Sequence, residues 1–295
     1  MPNLKAIRIR ISSVKSTRQI TSAMKMVSAA KLRKAQDKIV RLRPFVSKLQ
    51  EILAGLNQSL ADSEIENIYS CISEPKKILI VIITSNRGLC GAFNSNVIKE
   101  ARRIISEKYI DQFNKGDVTF LTIGKKGYDY MRKQRLSMLP EKNTLFNDLT
   151  FDNVSRVAEE IMNSFTDGVF DRVEIVYNQF KNAAVQNLTE EPFLPVESKP
   201  AAGKSLSQPV DYIYEPTQEE IVKELIPKSL KIQFYKAVLD SFVAEHGARM
   251  TAMHKATDNA TSMIRDLTLQ YNKARQAAIT NQILEVVSGA EALKG

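Results

Sequence analysis

Among the residues that could do chemistry, Gly203-Lys204-Ser205 matches the last three positions of a phosphate-binding loop. The first glycine of that motif is required five residues before Gly203, where this chain has Ser198, and Pro200 lies between them. No strand pattern precedes the motif and no helical pattern follows it, so the backbone amides cannot form a cradle for phosphate. We therefore expect no nucleotide to bind at this segment.

A second candidate, Gly88-Leu89-Cys90-Gly91, lies in a better context for a cofactor site. It follows the apolar stretch Ile78 to Ile83 and precedes a helical pattern, which is where a dinucleotide-binding turn would lie. The third glycine of the dinucleotide fingerprint is missing, however, and no acidic residue ends a second strand about twenty residues later. A tight strand-to-helix turn explains the glycines better than a cofactor site does.

The side chains that most often ligate metals or attack substrates are few. His246 and His254 lie eight residues apart on one predicted helix, with no Cys or carboxylate at the spacing that would complete a metal shell. Cys90 has no local histidine and is predicted to be a small buried residue. The other cysteine is Cys71, and two cysteines without a Cys-x-x-Cys motif favour a reducing cytoplasm. We expect no catalytic residue, metal or cofactor.

Positive charge is concentrated at the N-terminus. Residues 1–50 hold 13 Lys or Arg and one acid, Asp37, for a net charge of +12, whereas the whole chain of 295 residues carries +9. A basic helix of this kind requires an anionic partner, which could be nucleic acid, a lipid surface or acidic protein loops. Charge alone leaves these alternatives open.

Hydropathy limits the chain's relation to membranes. The longest apolar run, Ile78 to Ile83, has the length of a buried strand, and no run approaches the roughly 18 residues of a membrane span. The first residues are basic but lack an apolar signal core and a cleavage-like break. We expect an unprocessed, intracellular protein that does not cross the bilayer.

The first sixty residues show apolar positions at alternating spacings of three and four, as in a coiled-coil helix. Pro44 predicts a kink but not an end, because the periodicity resumes in phase after it. Between Val14 and Leu32 this line becomes polar, while Ile20, Met24 and Val27 form a second apolar line, so we expect the helix to change packing partner there. The predicted contact line comprises Ile7, Ile11, Val14, Thr21, Ser28, Leu32, Ala35, Ile39, Leu42, Val46, Leu49, Leu53, Leu56 and Leu60.

The last seventy residues show the same spacing, which predicts a second long helix from about Lys228 to Ala290. Small side chains at several of these positions allow close helix approach, so we expect the two terminal helices to pair as an antiparallel coiled coil. The predicted contact positions are Tyr235, Leu239, Phe242, Met253, Ala256, Ala260, Met263, Leu267, Tyr271, Ala274 and Ala278.

The middle of the chain alternates between strand and helix patterns, which predicts a Rossmann-like α/β domain. We expect strands at 77–83, 118–123 and 173–177 and helices at 94–108, 125–134 and 151–166. The stretch from Glu190 to Pro216 is rich in Pro, Ser, Gly and charge and is predicted to be a mobile loop. The predicted domains are a coiled-coil helix at 1–60, the α/β domain at 76–195, a linker at 196–216, and a C-terminal helix at 217–295 that pairs with 1–60.

Four segments carry a resemblance to a known family. The stretch Ile11 to Lys31, ISSVKSTRQITSAMKMVSAAK, closely resembles the N-terminal helix of F-type ATP synthase gamma subunits, and Tyr271 to Leu293 resembles their C-terminal signature. Thr84 to Asn94 and Asp211 to Pro216 match two further segments of the family in order and spacing. The resemblance covers essentially the whole chain.

The departures from the family's pattern are few. The family usually has Ser-Thr-Asp where this chain has Thr84-Ser85-Asn86, often Trp where it has Val210, and Glu where it has Gln282. The replacement by Gln282 puts any charge contact at that position in doubt. The cysteine-bearing regulatory insert of chloroplast relatives is absent.

The resemblance implies a non-catalytic rotor. In the family the paired helices turn inside a ring of three alpha and three beta subunits, and the catalytic sites are on the beta subunits. The α/β domain lies near the epsilon subunit and the membrane c ring. A basic N-terminal helix would then face acidic beta-subunit loops, so no nucleic acid is needed. The implied location is peripheral, on the cytoplasmic face of the bacterial inner membrane.

The resemblance also implies particular partner-binding residues. Three match residues that bond a loop of one beta subunit at a time, three match residues that meet polar loops of the c ring, and two lie where the N-terminal helix could approach an acidic beta-subunit loop. In the same order these are Arg275, Gln276 and Thr280; Tyr212, Tyr214 and Glu215; and Met24 and Lys25. Plain packing remains the alternative for Met24 and for the two tyrosines.

Two other functions compete with the rotor hypothesis. A nucleic-acid-binding coiled coil would use the basic helix, although residues 1–44 contain no aromatic residue on which single-stranded bases could stack. A nucleotide-dependent enzyme would use the α/β domain, and micromolar nucleotide binding would favour it.

Overall fold

The computed structural model describes residues 4–60, 69, 75–196 and 218–292. Its elements, in chain order, are α1 (Leu4–Leu60), β1 (Ile78–Ile83), α2 (Phe93–Lys108), α3 (Ile110–Lys115), β2 (Val118–Ile123), α4 (Lys125–Lys133), a 3-10 turn (Asn143–Phe146), α5 (Phe151–Thr166), β3 (Arg172–Phe180), β4 (Gln186–Leu194) and α6 (Gln218–Ala292). The chain forms two compact units, residues 1–29 with 249–295 and residues 30–248. In the described part of the chain, no helix offers an apolar stretch long enough to span a bilayer.

The smaller unit consists of the start of α1 and the end of α6. Thr257 of α6 donates a hydrogen bond to the Thr21 hydroxyl at 2.8 Å, and Arg8 donates to the hydroxyl of Tyr271 at 2.9 Å. Thr21 contacts Thr257, whereas the earlier residue Arg8 contacts the later residue Tyr271, so the two helices run antiparallel. The predicted antiparallel pairing of the terminal helices is confirmed.

The contact line predicted on α1 is the face that the helix buries. Leu32, Ala35 and Ile39 are all less than a tenth exposed, as are Val46 and Leu49 further along. On α6 the line holds with one exception, because Met263 is 44% exposed and Ile264 is the half-buried residue there. A shift of one residue rotates a helix position by about 100°, which is enough to move a side chain from the contact to the surface.

The larger unit contains a four-stranded sheet in the order β2-β1-β3-β4. Strands β2, β1 and β3 are parallel, with Ile78 opposite both Val118 and Arg172, and β4 is antiparallel to β3. The three strands predicted from sequence are all present, as are the three helices between them. The predicted fold class, an α/β domain with long terminal helices, is confirmed.

Strand β1 is buried on both faces, which explains its unbroken run of branched aliphatic residues. On one face Leu79, Val81 and Ile83 pack in a cluster with α5 and α6. On the other face Ile78, Ile80 and Ile82 pack with α2 and α4. The sheet is therefore the middle of three layers, and the outer layers are helical.

The carboxyl ends of β1 and β2 approach closely at Gly124, which begins the turn into α4. Its φ is 111°, and a Cβ at this position would lie 2.1 Å from the carbonyl oxygen of Thr84. The Thr84 hydroxyl in turn donates to the Gly124 carbonyl at 3.1 Å and accepts from the Gly127 amide at 2.8 Å. Only glycine fits at position 124.

The structure differs from the elements predicted from the sequence at three places. Residues 190–194, predicted to open a mobile loop, form the end of β4, and the remainder of that loop lies outside the described residues apart from Pro195 and Val196. Helix α6 begins at Gln218, before the periodic stretch predicted from about Lys228 but within the C-terminal segment predicted at 217–295, since it continues through Pro227. The pattern also missed the short helix α3. In α1, Pro44 does not end the helix, as predicted.

Candidate functional site

The inner face of the smaller unit is polar at its centre. Thr21 and Ser28 are 9% and 3% exposed, and the Thr21 hydroxyl is bonded both to Thr257 and to the Arg18 carbonyl. These bonds replace the water that the Thr21 hydroxyl would otherwise hold, so Thr21 is tolerated at the contact.

The predicted change of packing partner on α1 is therefore wrong. The contact line continues through the polar residues toward α6, and the second apolar line is left largely outside. Ile20 and Val27 are 60% and 57% exposed, and Met26 beside them is 65% exposed. Large apolar side chains on an outer helix face are typical of a surface that another protein covers.

Met24 and Lys25 both lie at the edge of this contact and are half-buried. The Lys25 ammonium lies 3.3 Å from Nδ1 of His254 on α6, so in this chain it has an intramolecular partner. The same imidazole nitrogen lies 3.5 Å from the carboxylate of Asp258. Met24 makes no comparable polar contact, and part of its flexible side chain is exposed.

Arg275, Gln276 and Thr280 are all exposed on α6. The Thr280 hydroxyl donates to the Gln276 carbonyl at 3.0 Å, which is the usual bond of a threonine to the preceding helical turn. Its single proton is used there, so toward a partner Thr280 offers an acceptor while Arg275 and Gln276 offer donors. Lys273, proposed below as a comparison, is exposed as well.

The end of α6 beyond these residues carries an apolar surface. The most exposed of its side chains is Val286, at 71%, and Ile283 and Leu284 are more than half exposed. Together with the outer face of α1, this gives the smaller unit a surface that is basic and apolar.

The larger unit explains the glycine-rich turn without a cofactor. Between β1 and α2, the Asn94 side chain accepts from the Ser85 amide at 2.9 Å and donates to the sulfur of Cys90 at 3.2 Å. Cys90 is 1% exposed, and Leu89 and Gly91 both have positive φ, 63° and 62°. The interpretation as a tight strand-to-helix turn, with Cys90 as a small buried residue, is confirmed.

Neither histidine sits in a ligand cluster. His246 is buried with its ring edge-to-face against Phe242, at 4.5 Å between centroids, and His254 packs across the helix pair as described above. Across the residues that the structure describes, no three His, Cys, Asp or Glu side chains converge on one point that could hold a metal ion.

Three groups of residues considered in the sequence lie outside the described residues. They are Tyr212, Tyr214 and Glu215; Cys71; and Gly203-Lys204-Ser205. The predicted contacts of Tyr212, Tyr214 and Glu215 stay predictions.

Two buried polar clusters in the larger unit were not predicted from the sequence. In the first, Asp240 of α6 is 1% exposed and lies 3.5 Å from Arg43 of α1, which also donates to the Phe180 carbonyl of β3 at 3.0 Å. Burial raises the pKa of Asp240, and the cations Arg43 and Lys236 offset this only in part. A lone acid within the apolar run 237–244 was the available signal.

The second cluster lies where α2 ends against β3 and β4. Glu174 of β3 is 1% exposed, accepts from the Tyr109 hydroxyl and from Nε of Arg172 at 3.1 Å, and neighbours Glu190 of β4. Burial raises the pKa of Glu174, with the neighbouring Glu190 adding to the effect. Burial also raises the pKa of Tyr109, which bonds Glu174. The signal in the sequence was a glutamate at the second position of the apolar stretch VEIVY.

Comparison with known proteins gives a uniform result. The model of a family described as ATP synthase matches residues 3–293. The ATP synthase gamma chains of Cytophaga hutchinsonii and Flavobacterium psychrophilum are 53% and 55% identical to this chain, over 99% and 100% of both sequences respectively.

Solved structures agree in fold. A chain of the Euglena gracilis mitochondrial ATP synthase in a complex of OSCP, F1 and c-ring has a TM-score of 0.68 at 24% identity, covering 98% of this chain and 94% of its own. A chain of the Tetrahymena thermophila central stalk and c-ring has a TM-score of 0.56 at 25% identity, over 80% of this chain and 99% of its own. With a family model and close relatives matching along nearly the whole sequence, the chain belongs to the ATP synthase gamma chain family.

Proposed function

We propose that this chain is the central rotor shaft of an F-type ATP synthase, which couples ion flow through the membrane c ring to conformational cycling of the catalytic beta subunits. The observation that carries this function is the match to ATP synthase gamma chains over the full length of the chain. A solved relative at 25% identity is described as part of a mitochondrial central stalk and c-ring, which supports the same role.

The chain itself is proposed to be non-catalytic. Torque transmission requires stiff elements and a directional contact rather than a reactive group, and two paired long helices suit that requirement. The catalytic sites belong to the beta subunits in this proposal, and the chain is peripheral, on the cytoplasmic face of the bacterial inner membrane.

The smaller unit is proposed to face the alpha and beta subunits. The exposed apolar residues of α1 and α6 supply contact area, and the basic residues of α1 supply attraction for acidic loops. Arg275 and Gln276 are proposed to donate to a carboxylate loop of one beta subunit at a time, and Thr280 to accept a bond beside them. Charge-assisted bonds of about 1.5 to 3 kcal/mol are strong enough to favour one rotary position and weak enough to release.

Met24 and Lys25 are proposed to set how tightly α1 passes the same beta-subunit loops. Lys25 is held near His254, so its charge faces the loop from a fixed place. Met24 is uncharged, and this allows the helix to pass an acidic loop without binding it.

The remainder of the chain is proposed to form the foot of the shaft. In this division residues 1–60 and 217–295 build the shaft, residues 76–195 form the foot near the epsilon subunit and the c ring, and residues 196–216 link them. Tyr212, Tyr214 and Glu215 would meet polar loops of the c ring.

Co-purification tests the proposed function directly. The full chain is tagged at its C-terminus in its native host, isolated from gently solubilised membranes, and its partners are identified by mass spectrometry. Recovery of alpha, beta, epsilon and c subunits supports the rotor. Recovery of the chain without them, with nucleic acid that survives high salt, would instead support the basic coiled-coil alternative.

A further inference from the structure

The carboxyl group of Glu174 has one oxygen that the structure leaves without a donor. Its Oε1 receives hydrogen bonds from Tyr109 and Arg172, but Oε2 is fully buried and receives none from any residue that the structure describes. A buried carboxylate oxygen without a donor is costly, because an ionised carboxylate can only accept. A proton on Oε2 would turn the orphaned acceptor into a donor.

The diagonal neighbour of Glu174 on strand β4 is another acid. In the β3–β4 ladder Glu174 is opposite Pro192 and Val176 is opposite Glu190, so the two glutamates are diagonal neighbours on one face of the sheet. Each carboxyl group is close enough to the other to shift its pKa. Two carboxylates at this range repel, whereas a carboxylic acid and a carboxylate form a strong bond.

The surroundings decide which glutamate carries the proton. Glu190 accepts from the ammonium of Lys108 and lies 3.7 Å from the guanidinium of Arg103, both on α2. Burial opposes the ionisation of Glu190, but its bonds with Glu174 and Lys108 outweigh burial and hold its pKa below the usual value. Glu174 is the more deeply buried group and the one with an unused oxygen. The negative charge therefore belongs on Glu190 and the proton on Glu174.

All elements packed here contribute charged groups. From α2, Arg103 is paired with Glu100 and Glu107 as well as with Glu190. The remaining groups are Lys108 and Tyr109 at the end of α2, Arg172 and Glu174 on β3, and Glu190 on β4. With Glu174 protonated, three cations face three carboxylates, and the cluster is neutral.

We propose that Glu174 and Glu190 form a buried proton-binding site, in which one shared proton holds the end of α2 and strand β4 onto β3, and that the site opens as the pH rises. The site lies in the larger unit, and this proposal does not depend on the proposed rotor function.

The direction of the pH effect follows from the two glutamates. The pKa of Glu174 is raised in the folded chain, so its contribution is complete below the usual glutamate pKa and is lost as the pH rises through the raised value. The pKa of Glu190 is lowered, so its contribution is present above the usual value and is lost as the pH falls through the lowered one. The shared proton is therefore held between these two limits.

Titration of the carboxyl carbons in the full chain, labelled with ¹³C at glutamate Cδ and followed by NMR, tests the site without any mutation. Glutamate in a short unstructured peptide serves as the reference. We expect the Glu174 resonance to titrate at a higher pH than this reference, and the Glu190 resonance at a lower pH. Titration of Glu174 at the pH of the reference, or below it, overturns the proposal.

A variant tests whether the proton holds the elements together. Glu174→Gln places an amide donor where the acid proton would be, so we expect the variant to fold and to lose the pH response. The measurement is amide hydrogen exchange in β4 and in the last turn of α2, corrected for the intrinsic pH dependence of exchange. In the parent chain and in Glu160→Gln, exchange should accelerate roughly tenfold as the pH rises. A roughly tenfold change corresponds to the loss of one charge-assisted hydrogen bond. In Glu174→Gln exchange should stay level. An equal rise in all three chains would refute the link between the proton and the packing.

Discussion

The contact between Arg43 and Asp240 offers the sharpest test of how α1 is fixed to the α/β unit. Arg43 reaches from α1 to two elements at once, donating to the Phe180 carbonyl at 3.0 Å and lying 3.5 Å from the Asp240 carboxylate. Asp240 is 1% exposed, whereas the Arg43 side chain is 51% exposed. Replacing Arg43 by Met keeps most of the aliphatic stem and removes both polar contacts.

The expected cost can be bounded from these contacts. A hydrogen bond to a charged group contributes about 1.5 to 3 kcal/mol. Breaking a fully buried ion pair costs about 3 to 5 kcal/mol, but this pair is half-open to water and Asp240 can take up a proton, so the lower part of that range is the ceiling here. We expect Arg43→Met to destabilise the α/β unit by about 2 to 3 kcal/mol. Asp240→Asn, which keeps an acceptor and removes the buried charge, should cost about 1 kcal/mol.

The two changes should also alter the pH dependence. Since the pKa of Asp240 is already raised by burial, stability is complete below its usual pKa and falls as the pH rises through the raised one. Without Arg43 that pKa rises further, so the loss of stability in Arg43→Met should extend to higher pH and be larger. Asp240→Asn should abolish this pH dependence of stability.

Hydrogen exchange of the β3 amides measures this cost locally, which avoids treating two compact units as one two-state transition. A loss of about 2 kcal/mol corresponds to exchange faster by roughly 30-fold. Arg41→Met is the control, because Arg41 is an exposed cation two residues away. Equal exchange in Arg43→Met and Arg41→Met, or a pH dependence that survives Asp240→Asn, would refute this account of the contact.

Three further predictions concern the proposed partner surfaces. In the purified complex, Arg275→Ala should cut steady-state ATP hydrolysis far more than assembly, while Lys273→Ala should do little, and equal turnover would count against the contact. Met24→Lys should leave ATP hydrolysis intact but lower the number of ions pumped per ATP, measured in membrane vesicles; lost assembly instead would mean that Met24 only packs. Replacing both Tyr212 and Tyr214 by Ala should lower retention of the catalytic head on washed membranes, and unchanged retention would exclude their contact with the c ring.

The apolar periodicity predicted most of the fold because most of the fold is buried within this chain. Strand β1 lies between two helical layers and could have no polar position, and the contact line of α1 from Leu32 to Leu49 packs within the larger unit. In both cases the periodicity follows directly from the geometry of one strand or one helix. Local sequence was sufficient for these elements.

Strand β4 and the start of α6 were missed for physical reasons. β4 is an edge strand with Pro192 and two glutamates, and its first seven residues are only half-buried or exposed, so it shows neither alternation nor an apolar run. Helix α6 continues through Pro227, since proline removes only one amide from the helical hydrogen-bond ladder. Leu225 and Ile226 pack against the core on one side of it and Leu230 on the other, and this packing outweighs the lost bond.

The roles of the buried acids could not be predicted from the sequence, because each role depends on which residue the acid contacts in the folded chain. Glu174 and Glu190 are 16 residues apart in the sequence, and only the register of β3 against β4 makes them neighbours. Arg43 and Asp240 are 197 residues apart and meet only because the terminal helices are antiparallel. A single acid in an apolar strand could have been flagged, but its partner could be named only from the tertiary structure.

The inverted face of α1 shows most clearly where an apolar pattern stops predicting burial. Thr21 lies inside the helix pair, while Ile20 and Val27 lie outside it, because Thr21 finds a hydroxyl partner in Thr257. The rule that apolar residues are buried holds for a chain whose partners are all its own. Where apolar residues are exposed along a continuous helix face, that face becomes buried only when other subunits bind to it. We infer that the mismatch itself marks the surface of α1 that other subunits cover, which is the arrangement that a shaft within a ring requires.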